Sequence, residues 1–107
     1  MTPEEVLFKA AEIISTAGHV KGAFDDGDCV SGAVCMEGAY RRAMYGTSTG
    51  TDEGFIAPER AWRILTKTVE AETDYFAPCV FNDADETTAE DAILMLKRAA
   101  ERARDGG

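Results

Sequence analysis

Three cysteines, one histidine and two short acidic runs are the side chains of this 107-residue chain whose types could do chemistry. Cys29 follows Asp25-Asp26-Gly27-Asp28 and precedes an apolar stretch. If a helix opens there, its dipole would lower the thiol pKa, as a thiolate nucleophile requires. His19 is a general base by type, and Asp83 or Asn82 could orient it. These are the parts of a thiol hydrolase, but only a three-way geometry makes them one. The competing reading has Cys29 as a small hydrophobe, in helical register with Met36 and Tyr40 on a buried side.

Metal chemistry has a thinner basis. Cys29, Cys35, Cys79 and His19 could in principle close a zinc site, yet no C-x-x-C or H-x-x-x-H pair sets two ligands side by side. Residues 25–28 and 82–86 could hold a hard cation such as calcium if they met in space. Neither run alternates its ligands as an EF-hand loop does. Both directly precede segments of helical pattern, where Asp and Asn bond backbone amides. The expectation is turns and caps, with no metal and no cofactor site.

Those side chains need elements to position them. Thr2-Pro3-Glu4-Glu5 reads as a capping box with proline in the first turn. The helix it opens puts Val6, Leu7, Ala10, Ala11, Ile13, Ile14 and Ala17 on one arc and stops at Gly18. A turn-rich connection over 18–28 leads to a central second helix over 29–44, with Gly32, Ala39 and Ala43 as a small-residue stripe for close helix approach. Gly32 and Gly38 would each cost that helix about 1 kcal/mol relative to alanine, which packing must offset. Cys29 and Cys35 on it would stand about 9 Å apart along the axis, beyond disulfide reach. Residues 45–57, rich in Gly, Thr and Ser, read as an exposed mobile loop. A third helix starts near Pro58 with Ala61, Trp62, Leu65, Thr68 and Val69 inward and Trp62 as anchor. Residues 73–86 read as an ordered loop plugging the core. Thr87-Thr88-Ala89-Glu90 reads as a second capping box opening the last helix, with Ala89, Ile93, Leu96, Ala100 and Ala103 inward and Arg104 at its end. The expected fold class is all-α: one domain over 1–107, built from four helices with an ordered loop before the last.

Composition narrows the function classes. A hydrophobic fraction of 45% and a charged fraction of 29% are those of a globular domain. The net charge of −9 opposes binding to a phosphate backbone, so no direct nucleic-acid contact is expected. The helical pattern begins almost at Met1 with acidic residues, which argues against a signal peptide. No run reaches the roughly 18 apolar residues that span a bilayer, so no membrane role is expected. An odd cysteine count without a secretory signal points to reduced thiols and a cytoplasmic location. Phe8 and Leu94 fall off the predicted core arcs. Together with Tyr45 or Phe55 they would form a partner-binding patch if they shared one surface.

Three motifs lie in order along the chain: Gly18-His19-Val20-Lys21-Gly22, Cys29-Val30-Ser31-Gly32-Ala33 and Phe81-Asn82-Asp83, the last followed by the final helix. The chain resembles a small uncharacterised family found in actinobacteria and in the phages that infect them. Its members read as Gly-Trp-x-x-Gly, Cys-x-x-Gly-Ala opening a second helix, and Trp-Asn-Asp before a capped last helix. His19 and Phe81 stand where that pattern has tryptophan. Cys29, Gly32, Ala33, Asn82 and Asp83 match it most specifically, and close helix approach and turn fixing account for them. The resemblance covers nearly the whole chain outside 45–57. It implies a compact helical domain and carries no established activity. The phage association implies, by analogy, a protein made to engage a host factor. The leading expectation is therefore a non-enzymatic, acidic interaction protein whose partner is a bacterial host protein, with self-association left open. A thiol hydrolase using Cys29 is the first alternative and an acidic mimic of nucleic acid the second.

Overall fold

The Thr2 hydroxyl accepts from the Glu5 amide at 3.2 Å, and the Glu5 carboxylate accepts from the Thr2 amide at 2.9 Å. This closed capping box opens α1, Pro3–Ala17, which ends where Gly18 takes a φ of 104°. The computed structural model describes residues 2–49 and 58–106, apart from the side chains of residues 58 and 59. Four further helices follow: α2, Met36–Tyr45; α3, Pro58–Glu72; α4, Pro78–Asp83; and α5, Ala89–Arg104. No strand occurs among the described residues, only isolated bridges from Val34 to His19 and to Asp25. The class is all-α, as the periodicity predicts.

The amphipathic faces explain the packing. α1 buries Val6, Leu7, Ala10, Ala11 and Ile14, and lies against α5, α2 and α3. α5 meets it with Ala92, Met95, Leu96, Ala99 and Ala100, whose small alanines let the two axes approach. α3 adds Ala61, Ile64, Leu65, Thr68 and Val69; Thr68 satisfies its hydroxyl on the Ile64 carbonyl at 2.7 Å. Trp62 is half-buried and tilts against Tyr40 at 5.2 Å between ring centroids. The Cα radius of gyration is 12.3 Å, that of a close-packed domain of this length.

Two expected boundaries move. α2 starts at Met36, not Cys29. The Asp28 carboxylate draws in the Val30 and Ser31 amides, both at 3.1 Å, and the Gly32 amide bonds the Asp28 carbonyl at 3.0 Å. These bonds wind 28–32 into a tight turn, after which the chain extends through Val34 to Cys35. At the last helix the cap is Thr88 with Asp91, one residue later than the sequence spacing places it. Thr87 is buried instead, donating its hydroxyl to the Phe81 carbonyl at 2.6 Å. The ordered segment before α5 contains the six-residue α4. Of the loop expected to be mobile over 45–57, Tyr45 ends α2 and Ser48 is fully buried; 50–57 lie outside the described residues. No helix among the described residues is long and apolar enough to cross a membrane.

Candidate functional site

α4 is too short to hold itself by helix propagation, so tertiary bonds must fix it. Asn82, 1% exposed, supplies most of them. Its Oδ1 accepts from the Met36 amide at the start of α2, at 3.0 Å, and lies 2.7 Å from His19 Nε2. Its Nδ2 donates to the Val20 carbonyl at 3.2 Å and to Asp83 Oδ1 at 2.9 Å. With acceptors on one side and an amide donor on the other, the side-chain orientation is determined, and His19 Nε2 must carry the proton it shares with Oδ1. Asp83 Oδ1 also accepts from the Gly22 amide at 3.0 Å, and Lys21 Nζ donates to the Ala84 and Asp85 carbonyls at 2.5 and 3.3 Å. Residues 82–85 thus clamp the 19–22 segment to the N-terminus of α2.

His19 and Asp83 therefore do meet at Asn82, but Cys29 does not join them by any hydrogen bond among the described residues. Cys29 is partly buried in the turn before α2, and its carbonyl accepts from the Ser48 amide at 2.8 Å. The cysteine at a helix start is Cys35, the N-cap of α2, whose Sγ accepts from the Gly38 amide at 3.2 Å. Burial pushes its thiol pKa up. Cys79 donates its thiol to Glu37 Oε1 at 3.2 Å. The residue as a whole is exposed, but partial desolvation of its thiol first, and then that carboxylate, push Cys79 up to about 12. Both thiols are thus protonated at neutral pH, the unreactive form. All three cysteines are free thiols, and no cluster of metal-ligating side chains forms among the described residues.

The acidic runs serve different segments. Asp25 accepts from the Gly27 amide at 2.9 Å and the Ser48 hydroxyl at 2.5 Å; Asp26 accepts from the Asp28 and Ala33 amides, both at 3.2 Å. The Ser48 hydroxyl, then the Gly27 amide, hold Asp25 below its ordinary range, and the Ser31 hydroxyl and amide do the same for Asp28. Arg42, buried behind them, donates to the Gly32 and Asp28 carbonyls at 2.8 and 3.1 Å. Gly32 has no place in a helix stripe. A Cβ there would lie 1.9 Å from Asp26 Oδ1, so its smallness admits the carboxylate that bonds Ala33. Gly38 has the closer helix role: a Cβ would lie 1.9 Å from the Phe24 carbonyl oxygen, and its absence seats the 22–24 turn on α2.

That seating leaves a cleft of about 370 Å³ between the 22–24 turn, the start of α2 and α4, lined by Ala23, Phe24, Cys35, Glu37, Cys79 and Asp83 among others. Glu37 pairs with Arg41 at 2.8 Å, and the Arg41 guanidinium lies over the Phe24 ring at 5.0 Å. Asp83 also borders a second hollow with Tyr75, Val80 and Glu86. Tyr75 and Glu86, which hydrogen-bond each other, border a third with Phe81, Leu94 and Arg98. Along this run Phe24 is 39%, Val80 38% and Leu94 48% exposed, with Phe76 at 73% just before α4. Phe8, 37% exposed on α1, is not among the residues of these hollows.

Residues 1–102 match the model of a family of unknown function, DUF6197. The chain belongs to that family. No curated protein and no solved structure matches it. In this DUF6197 chain the motif residues singled out in the sequence all have bonding or packing partners: Asn82 and Asp83 in the clamp, Gly32 and Ala33 around Asp26, and Cys29 through its carbonyl on Ser48. Leu94 alone of the two suspected surface residues borders the run of hollows. Sequence reasoning did not find Phe24, Phe76, Val80 or Glu37. The available signal was the apolar character of 75–81 around Pro78, which a buried plug explains equally well.

Proposed function

We propose that this chain is a small acidic interaction protein, phage-encoded, that engages a host protein in the actinobacterial cytoplasm. The observation that carries the reading is the run of three hollows sharing Asp83 and then Tyr75 along α4, with Phe24, Phe76, Val80 and Leu94 exposed beside them. Single exposed apolar side chains are ordinary on a protein surface, whereas a contiguous set edged by polar groups is the form of a partner site. The edge here is acidic, with Asp74, Asp83, Asp85 and Glu86 exposed. The geometry favours binding over thiol chemistry at Cys29, which has no hydrogen bond to His19 or Asp83 among the described residues. The resemblance of the three sequence motifs to small proteins of actinobacteria and their phages supports a bacterial host as the partner's source.

The test is affinity purification of tagged protein from bacterial cytoplasm, run beside a Phe76→Asp/Val80→Asp double variant. Both positions are exposed, so folding should change by no more than about 0.5 kcal/mol per site, which circular dichroism and melting would check. The expected result is a stoichiometric partner on the wild-type column that is lost from the variant. An empty wild-type column, or retention that the substitutions leave unchanged, contradicts the reading.

A further inference from the structure

We infer that the cleft between the 22–24 turn, the start of α2 and α4 takes a lysine side chain presented by the protein partner. The inference rests on the interaction reading above and specifies its chemistry. The walls are apolar where Ala23, Phe24, Cys35 and Cys79 line them, which suits a four-carbon stem. Of the side-chain acceptors, Glu37 has Oε1 taken by the Cys79 thiol and Oε2 by Arg41, and Asn82 Oδ1 is shared by Met36 and His19. Asp83 differs: Oδ1 accepts two bonds, while Oδ2 has no hydrogen-bond partner among the described residues. An exposed carboxylate with one oxygen free of protein donors among the described residues, bordering an apolar cleft, suits a donor carrying positive charge. No Lys or Arg lines the cleft, and Lys21 nearby is engaged by the Ala84 and Asp85 carbonyls.

Lysine fits better than arginine. An ammonium is a compact charge that satisfies a single oxygen, whereas a guanidinium gains most from a two-oxygen fork, and Asp83 has one oxygen already bonded. The cleft's volume of about 370 Å³ lies at the small end of ligand pockets and has room for one lysine side chain. The exposed acidic residues around it and the net charge of −9 favour the approach of a basic segment.

The experiment is a nitrogen-15 NMR titration of the full chain with Nα-acetyl-lysine N-methylamide, its norleucine analogue, its arginine analogue and free n-butylammonium. The Gly22, Ala23 and Phe24 amides should shift saturably with lysine. The norleucine analogue should bind at least about tenfold more weakly, and arginine more weakly than lysine. Asp83→Asn keeps an oxygen for the Gly22 amide and should abolish the preference for lysine over norleucine. If that variant does not fold, the lysine and norleucine pair on the wild type still decides. Equal binding of norleucine and lysine, or no saturable shift at those amides, overturns the inference. Butylammonium binding more tightly than the lysine derivative overturns a peptide source and leaves a free amine. A partner captured through Phe76 and Val80 but indifferent to Asp83→Asn removes the lysine inference alone, while an empty column removes the interaction reading and leaves the NMR result standing.

Discussion

Asn82 reaches His19, Val20 and Met36 with one amide, so its removal leaves the buried Met36 N–H and the half-buried Val20 carbonyl without partners. Each stranded group costs about 1–3 kcal/mol, and Asn82→Ala should therefore lose about 2–4 kcal/mol. Urea unfolding would show this as a lower midpoint at unchanged slope; a loss under about 0.5 kcal/mol, the scale of an ordinary surface change, would refute the clamp. Asn82→Asp should be no gentler at neutral pH, because it turns the Nδ2 donor into an acceptor facing Val20 and Asp83. Cys79 offers a second test. Its folded pKa of about 12 lies above the value near 8.5 of an unfolded thiol, so the stability tied to its protonated form, through desolvation first and the bond to Glu37 second, is fully present below about 8.5. As pH rises from there toward 12 the unfolded chain ionises first, and that stability is lost. Cys79→Ser should flatten this alkaline limb. At pH 8 a disulfide probe should modify Cys79 slowly despite its exposure, and faster after Glu37→Gln.

Gly38 separates helix propensity from packing. In an exposed helix, Gly→Ala gains about 1 kcal/mol. Here the added methyl would meet the Phe24 carbonyl at 1.9 Å, so Gly38→Ala should instead lose about 1–3 kcal/mol and displace the 22–24 turn. Gly32→Ala should also destabilise, through the Asp26 carboxylate. The same connection sets an acid limb. The folded-state pKa values of Asp25 and Asp28 are lowered, so their contributions are present above the usual aspartate range near 3.9 and fade as pH falls through the lowered values. Asp28→Asn should weaken that limb in an acid titration followed by circular dichroism. These elements were unevenly legible in the sequence. α1, α3 and α5 could be read because caps and apolar spacing are local signals. The start of α2 could not: Cys29 to Ala33 carry apolar and small residues compatible with a helix, while Asp28 uses its carboxylate to close a turn. α4, at six residues, is too short for periodicity to show. The clamp joins positions 46 and 63 residues apart, a separation for which a single sequence holds no local signal.

Across the whole molecule Phe24, Phe76, Val80 and Leu94 lie on or near α4 together with the exposed Asp74, Asp83, Asp85 and Glu86, whereas α3 turns Arg60, Arg63 and Lys67 outward. The affinity of a basic partner should fall as salt rises, since exposed charges are screened beyond about 10 Å at 0.1 M. The clamp at Asn82 holds the 22–24 turn and α4 in place before any partner arrives, which reduces the ordering cost of binding. The most direct measurement is amide hydrogen exchange on the free chain and on its complex with the partner that affinity purification recovers. Added protection should concentrate in residues 22–24 and 75–86, and in the turn of α5 around Leu94. Protection confined to the basic face of α3, with α4 and the 22–24 turn exchanging as in the free protein, would contradict it.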